Sequence, residues 1–212
     1  MIRTLNDLKN RKLDKLYIAV YLVTYPVPIK KDECIENANL GVLYGINCEG
    51  KRRIIDIFLE KETDNRFWLE KFEHIKSRGI EKILFLVAKF DKNIGRAIKI
   101  LYNGTTVVES PMEIITPLRK YLIYKREEDV FLRFRKLFLV ENLETYDIEL
   151  QVIRENVKEF KLATIAIDKQ LPKVCEFHQY DIKIRKLLFP YYAIKDMKTE
   201  IRKIINIDRI FY

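Results

Sequence analysis

A chain of 212 residues with 48% hydrophobic and 12% aromatic content can bury one large core, or a core with an insertion, and 33% charged residues exclude membrane and disordered classes. Forty Lys and Arg against 31 Asp and Glu give a formal charge of +9, which favours polyanionic partners on electrostatic grounds. Three cysteines at wide spacings, Cys34, Cys48 and Cys175, build neither a disulfide framework nor a C-x-x-C knuckle, so a reducing cytoplasmic setting is expected. The most apolar run, 16–23, is far shorter than the roughly 20 residues a bilayer span needs, and no signal-peptide pattern opens the chain. Abundant Lys, Ile and Glu with scarce Gln is a bias shared with thermophiles.

Residues 1–14 form a polar, basic arm. LYIAVYLVTY, residues 16–25, is dense in β-branched and aromatic residues and reads as a first strand closed by Pro26 and Pro28. Residues 38–47 and 52–60 flank Cys48-Glu49-Gly50-Lys51, the pattern of a hairpin. Phe67, Trp68, Phe72 and Ile75 then fall at helical spacing between Asp64 as N-cap and Gly79 as C′ residue.

KILFLVA, residues 82–88, is a continuous apolar run, as expected of a strand buried on both faces. Ile94, Ala97, Ile98 and Leu101 predict a short helix stopped by Asn103-Gly104, and residues 105–108 a last short strand. The order is β-β-β-α-β-α-β. Beyond Pro111 the spacing predicts helices over 112–124, 127–139, 145–165 and 171–188, punctuated by Pro117, Pro172 and Pro190, and an amphipathic tail over 193–205.

That order is the layout of the ribonuclease H-like fold, an α/β fold with a mixed sheet. The residues sharpen the analogy. Residues 44–99 carry a Gly-x-x-x-x-Gly-Lys-Arg hairpin (Gly45, Gly50, Lys51, Arg52), a helix entry with Glu62 and Trp68, and a Lys-x-Arg-Gly exit (Lys76, Arg78, Gly79). Val87, Ala97 and Ile98 then complete a strand-loop-Ala-Ile pattern. In this order and spacing the segment closely resembles the core of the Mutator-type insertion-sequence transposases, and the resemblance covers roughly residues 15–205. It implies an N-terminal arm over 1–14, a ribonuclease H-like core over 15–110, an all-helical insertion over 111–190, and a core helix and tail over 191–212. The long N-terminal DNA-binding region of full transposases is not expected in this chain.

The resemblance also says where chemistry belongs. Enzymes of this kind hold two divalent ions on three carboxylates. The first acid aligns with Ala19 in YIAVYLV, the second with Lys89 in LVAKFDKN, and the third with Lys195 in YAIK, after Phe189-Pro190. All three acids are missing, and two are replaced by cations, so neither catalysis nor a bound metal or other cofactor is expected. Asp14 is about 16 Å from Ala19 along an extended strand at 3.3 Å per residue, while Asp91 and Asp196 are displaced from the required slots. The family's Cys-x-x-His pair aligns with Glu113 and Thr116 and is missing too. His74 and His178 have no ligand-spaced partners.

These features predict a catalytically inactive, transposase-derived pseudoenzyme, a domesticated transposase that binds nucleic acid, with DNA as the partner. Lys89, Lys92, Arg119, Lys195, Arg202 and Lys203 form its expected basic surface at the former active site. Tyr191 and Tyr192 stand beside it as aromatic residues that suit either base stacking or core packing. Two alternatives are a protein interaction module, as homo-oligomer or as inhibitor of an active transposase, and a metal-dependent nuclease with a relocated site dependent on Asp91. A decaying transposase remnant is the dull alternative, opposed by the mutual consistency of strands, caps and amphipathic helices.

Overall fold

A computed structural model of the chain describes residues 5–31, 34–60, 64–89, 91–121 and 124–189. By contacts the chain forms two compact units, one within Met1–Val108 and one within Glu109–Pro190. In the first, a short helix α1 (Leu5–Asn10) precedes strands β1 (Leu16–Lys31), β2 (Cys34–Asn47) and β3 (Arg52–Glu60). Helix α2 (Asn65–Ser77), strand β4 (Lys82–Ala88), helix α3 (Lys92–Leu101) and strand β5 (Thr106–Glu109) follow.

The strands form a five-stranded mixed sheet in the order β3-β2-β1-β4-β5, antiparallel from β1 to β2 to β3 and parallel between β1 and β4. Aromatic and aliphatic side chains decide which face α2 and α3 cover. Tyr17, Val20, Leu22, Leu43, Phe58 and Leu86 meet Trp68, Phe72 and Ile75 of α2 and Ile94, Ala97 and Ile98 of α3 in one buried cluster. Alternation turns Ala19, Tyr21, Tyr44, Ile57 and Val87 to the opposite face, and these are buried as well. A sheet buried on both faces is what the unbroken apolar run of β4 predicts.

Local chemistry fixes the turns. Asp64 accepts from the Phe67 N–H at 2.7 Å as the N-cap of α2. In the β2–β3 turn the Asn47 side chain accepts from the Glu49 and Lys51 N–H groups, and Gly50 adopts φ +75°. Gly45 serves differently: a Cβ there would collide with the Tyr17 ring.

The first strand corrects one expectation. β1 does not stop at Pro26 but continues through Pro28 to Lys31, paired with β2 down to Cys34. β4 pairs only with Leu16–Tyr21, so beyond that point β1 has a neighbour on one side. On a side of a strand that has no neighbour, a residue without an N–H costs no ladder bond.

The second unit is helical: α4 (Pro111–Ile115), a 3-10 segment (Thr116–Tyr121), α5 (Tyr124–Leu137), α6 (Leu143–Val157), α7 (Lys161–Phe177) and α8 (Ile182–Leu188). Its core gathers Phe134, Phe138, Phe177 and Phe189, whose rings meet edge to face around Phe138. Three expected helices have other boundaries. The helix expected over 112–124 tightens to 3-10 geometry at Thr116-Pro117, where proline supplies no N–H to an α-helical ladder. The one expected over 145–165 is two, parted at 158–160, where the Phe160 N–H turns to the Val157 carbonyl. Pro172 lies inside α7 rather than between helices: it supplies no N–H to the Asp168 carbonyl, and both residues are exposed, where solvent can reach the helix backbone.

Candidate nucleic-acid interface

Ala19 sits in the interior of β1, 0% exposed, opposite Ile46 of β2 and Phe85 of β4. Lys89 follows the last residue of β4 and is exposed. The two positions therefore lie on one strand and just past the end of its parallel neighbour, not at one level: Lys89 is four residues past Phe85, about 13 Å at 3.3 Å per residue. Lys195, Arg202 and Lys203 lie outside the described residues, as do Glu62, Tyr191 and Tyr192. Arg119 falls in the 3-10 segment, and its side chain is likewise outside the description.

A two-ion site does not fit what stands at these positions. A buried methyl group offers no ligand oxygen, and an ammonium group repels a divalent ion. Nearby acids are employed elsewhere. Asp91 is the N-cap of α3, its carboxylate accepting from the Asn93 N–H at 2.7 Å. Asp14 accepts from Asn47 Nδ2 at 3.1 Å and from the Tyr17 hydroxyl at 3.4 Å, and lies 3.9 Å from Arg53. Among the described residues no three His, Cys, Asp or Glu side chains gather as a metal ion would require.

The two histidines serve structure. His178 donates a ring N–H to the Leu137 carbonyl at 2.6 Å, and His74 lies 3.8 Å from the buried Asp56 carboxylate. Cys48 and Cys175 are free thiols.

Several of the motif residues prove to be scaffold. Arg78, 8% exposed, donates to the carbonyls of Leu8 at 2.6 Å, Ile55 at 2.9 Å and Arg11 at 3.1 Å. Burial pushes its pKa down, partly countered by the Asp56 carboxylate. Trp68 is buried against Phe58, Phe67 and Phe72.

What remains chemically available at this end of the sheet is positive charge. Lys89 and Lys92 flank the start of α3, both exposed, and Arg96 and Lys99 continue along the helix. The first two were expected from the sequence. The last two were not, although their i+4 and i+7 spacing from Lys92 puts them on one helical face.

Comparison with known proteins follows the same line. The family model described as Transposase, Mutator family, matches residues 1–212. The transposase for insertion sequence element ISRM3 of Rhizobium meliloti (strain 1021) is 21% identical over 208 residues, 97% of this chain and 52% of that protein. A probable ISRM3-like transposase of Sinorhizobium fredii gives the same figures, and the transposase for IS1201 of Lactobacillus helveticus is 31% identical over 87 residues, 41% of this chain and 23% of that protein. The chain thus spans about half the length of the two longer matches. Among solved structures, the Drosophila P element transposase strand transfer complex superposes with a TM-score of 0.37 at 10% identity, over 80% of this chain and 52% of that one. No described helix is long and apolar enough to cross a membrane.

Proposed function

The chain belongs to the Mutator family of transposases, and on that premise we propose that it is a transposase-derived protein that binds DNA and no longer cuts it. The observation that carries this reading is the pair Ala19 and Lys89: a buried methyl and an exposed ammonium stand where the resemblance requires metal-holding carboxylates. Reversing the sign of such a position weakens any hold on a divalent ion and favours a phosphate in its stead. The fold we assign is ribonuclease H-like, with the helical unit as an insertion. The strand order β3-β2-β1-β4-β5, with its parallel β1–β4 pair, supports that assignment.

The test joins binding to cleavage. Duplex DNA should bind at low ionic strength and weaken steeply as salt rises, because each neutralised phosphate releases counterions. The double change Lys89→Glu and Lys195→Glu should weaken that binding. Incubation of the same DNA with Mg²⁺ or Mn²⁺ should leave it intact. Metal-dependent cleavage that is lost in Asp91→Ala would instead establish a relocated active site.

A second reading, a protein interaction module, has its own observation. The helical unit exposes Leu143 at 75%, Leu162 at 67%, Ile148 at 56% and Ile165 at 55%, and exposed apolar side chains mark contact surfaces where they join in one patch. Sedimentation of the purified chain separates the two: self-association with no DNA affinity favours the module.

A further inference from the structure

We infer that the solvent face of α3, centred on Lys92, Arg96 and Lys99, is a docking surface for the phosphate backbone of duplex DNA. The inference rests on the DNA-binding reading above and extends it to a surface beyond the former catalytic positions. At 3.6 residues per turn, positions 92, 95, 96 and 99 fall within an arc of about 100°. Ile94, Ala97 and Ile98, buried, occupy the other side. The helix contains no acidic residue, and Asp91, the acid nearest in sequence, is already engaged by the Asn93 N–H.

Exposed lysines without an ion pair among the described residues also stand on α7 and α8, Lys169 and Lys183 among them, but α3 groups three such cations on one face. Arg66 is paired with Glu70, Arg133 with Asp129 and Glu149, Lys136 with Glu149, Arg154 with Asp168 and Lys158 with Glu155. Among the described residues Lys92, Arg96 and Lys99 have neither a carboxylate nor a carbonyl partner, and all three are exposed. Three cations held together without counter-charge repel one another, and each is destabilising until an anion arrives.

Gly95 is the second observation. A glycine inside a helix costs about 1 kcal/mol relative to alanine, and a Cβ at this position would meet nothing within 4 Å. Packing therefore gives no reason for it. Its effect is to leave bare main chain between Lys92 and Lys99, which lets a ligand approach the helix closely.

Dimensions and chemistry select the ligand. Lys92 and Lys99 are about 10 Å apart along the axis at 1.5 Å per residue, a reach that spans neighbouring phosphates of one strand. No aromatic residue lies on α3, so unpaired bases have nothing to stack upon. The contact is made to the backbone and is independent of base sequence.

Fluorescence anisotropy of a labelled 20-base-pair duplex, titrated with the full chain between 50 and 200 mM salt, tests this. Arg96→Glu with Lys99→Glu should weaken binding at least tenfold at the lower salt and reduce the log–log salt slope by about two. Lys169→Glu with Lys183→Glu, the same charge change on exposed residues of the helical unit, should do much less. Gly95→Gln fills the gap without altering charge and improves helix propensity, so it should raise the melting temperature yet weaken binding several-fold. A merely structural glycine would not give that split.

Binding by the wild-type chain that is indifferent to the Arg96 and Lys99 reversals, or weakened equally by the Lys169 and Lys183 pair, overturns the α3 surface and leaves the DNA-binding reading standing. Preference for the single strand over the duplex also overturns it. Absence of wild-type binding at 50 mM salt overturns both. Melting curves identify any unfolded variant, in which case Gly95→Gln alone decides.

Discussion

Glu60 shows how a single side chain at the carboxyl end of β3 ties stability to pH. It is 7% exposed, its carboxyl lies against the main chain at Gly41, and among the described residues its Oε1 has no hydrogen-bond partner. Burial, and then the negative charge of Asp91, push its pKa up to about 7 from 4.5. A carboxyl whose folded pKa is raised binds its proton more tightly in the folded chain than in the unfolded one. Its stabilising contribution is therefore complete below about pH 4.5 and is lost as pH climbs through 7. A shift of this size corresponds to about 3 kcal/mol. The wild-type melting temperature is thus expected to fall between pH 5 and pH 8 on account of this residue, and Glu60→Gln to flatten that fall. A Glu60→Gln curve parallel to wild type would show that the carboxyl is ionised and hydrated in the folded chain. Mutation of Asp91 bears on the same residue, so the Asp91→Ala cleavage test needs a melting curve beside it.

Elements meet through a few such groups, and Arg78 is the clearest. It sits at the end of α2 and reaches the carbonyls of Leu8 in α1 and Ile55 in β3. Ile55 stands at a bulge where the β2–β3 register shifts, so its carbonyl points away from the ladder, and Arg11 takes the neighbouring Ile54 carbonyl. The two guanidinium groups thereby cover the outer edge of β3 against stray strand pairing. A lysine has one ammonium where three carbonyls at different bearings need a planar fork. Arg78→Lys is expected to destabilise the first unit by about 2–4 kcal/mol, most of it from buried carbonyls left unpaired. Urea unfolding followed by Trp68 emission measures it, and a loss below about 0.5 kcal/mol would mean the contacts are incidental.

The same elements show what the sequence discloses and what it hides. Period, caps and turn glycines carried α2, β4, α3 and the β2–β3 hairpin, because those signals act within a few residues. The length of β1 was hidden, since a proline's effect depends on whether its strand has a second neighbour, a tertiary fact. Pro172 misled for a like reason: solvent access to the helix backbone decides whether a helix runs on. At the candidate interface, the family pattern pointed to Lys89 and Lys92. Arg96 and Lys99 were missed because a lysine-rich chain offers many cations, and only the ion-pair map separates engaged ones from idle ones.

For the whole molecule, the division into two compact units has a thermodynamic consequence. Each unit has its own aromatic core, Trp68, Phe72 and Phe58 in one and Phe134, Phe138 and Phe177 in the other. Units with separate cores need not unfold together. The chain contains one tryptophan, Trp68, buried in the first unit, so its emission reports that unit alone. Far-ultraviolet circular dichroism reports chiefly the second unit, which holds α5, α6 and α7, the longest helices described. Denaturant curves recorded by the two signals are expected to have different midpoints, and duplex DNA at saturating concentration to raise only the emission midpoint, since the basic face of α3 belongs to the unit that Trp68 reports. Coincident curves, shifted together by DNA, would show instead that the two units fold as a single cooperative body and that the ligand stabilises both.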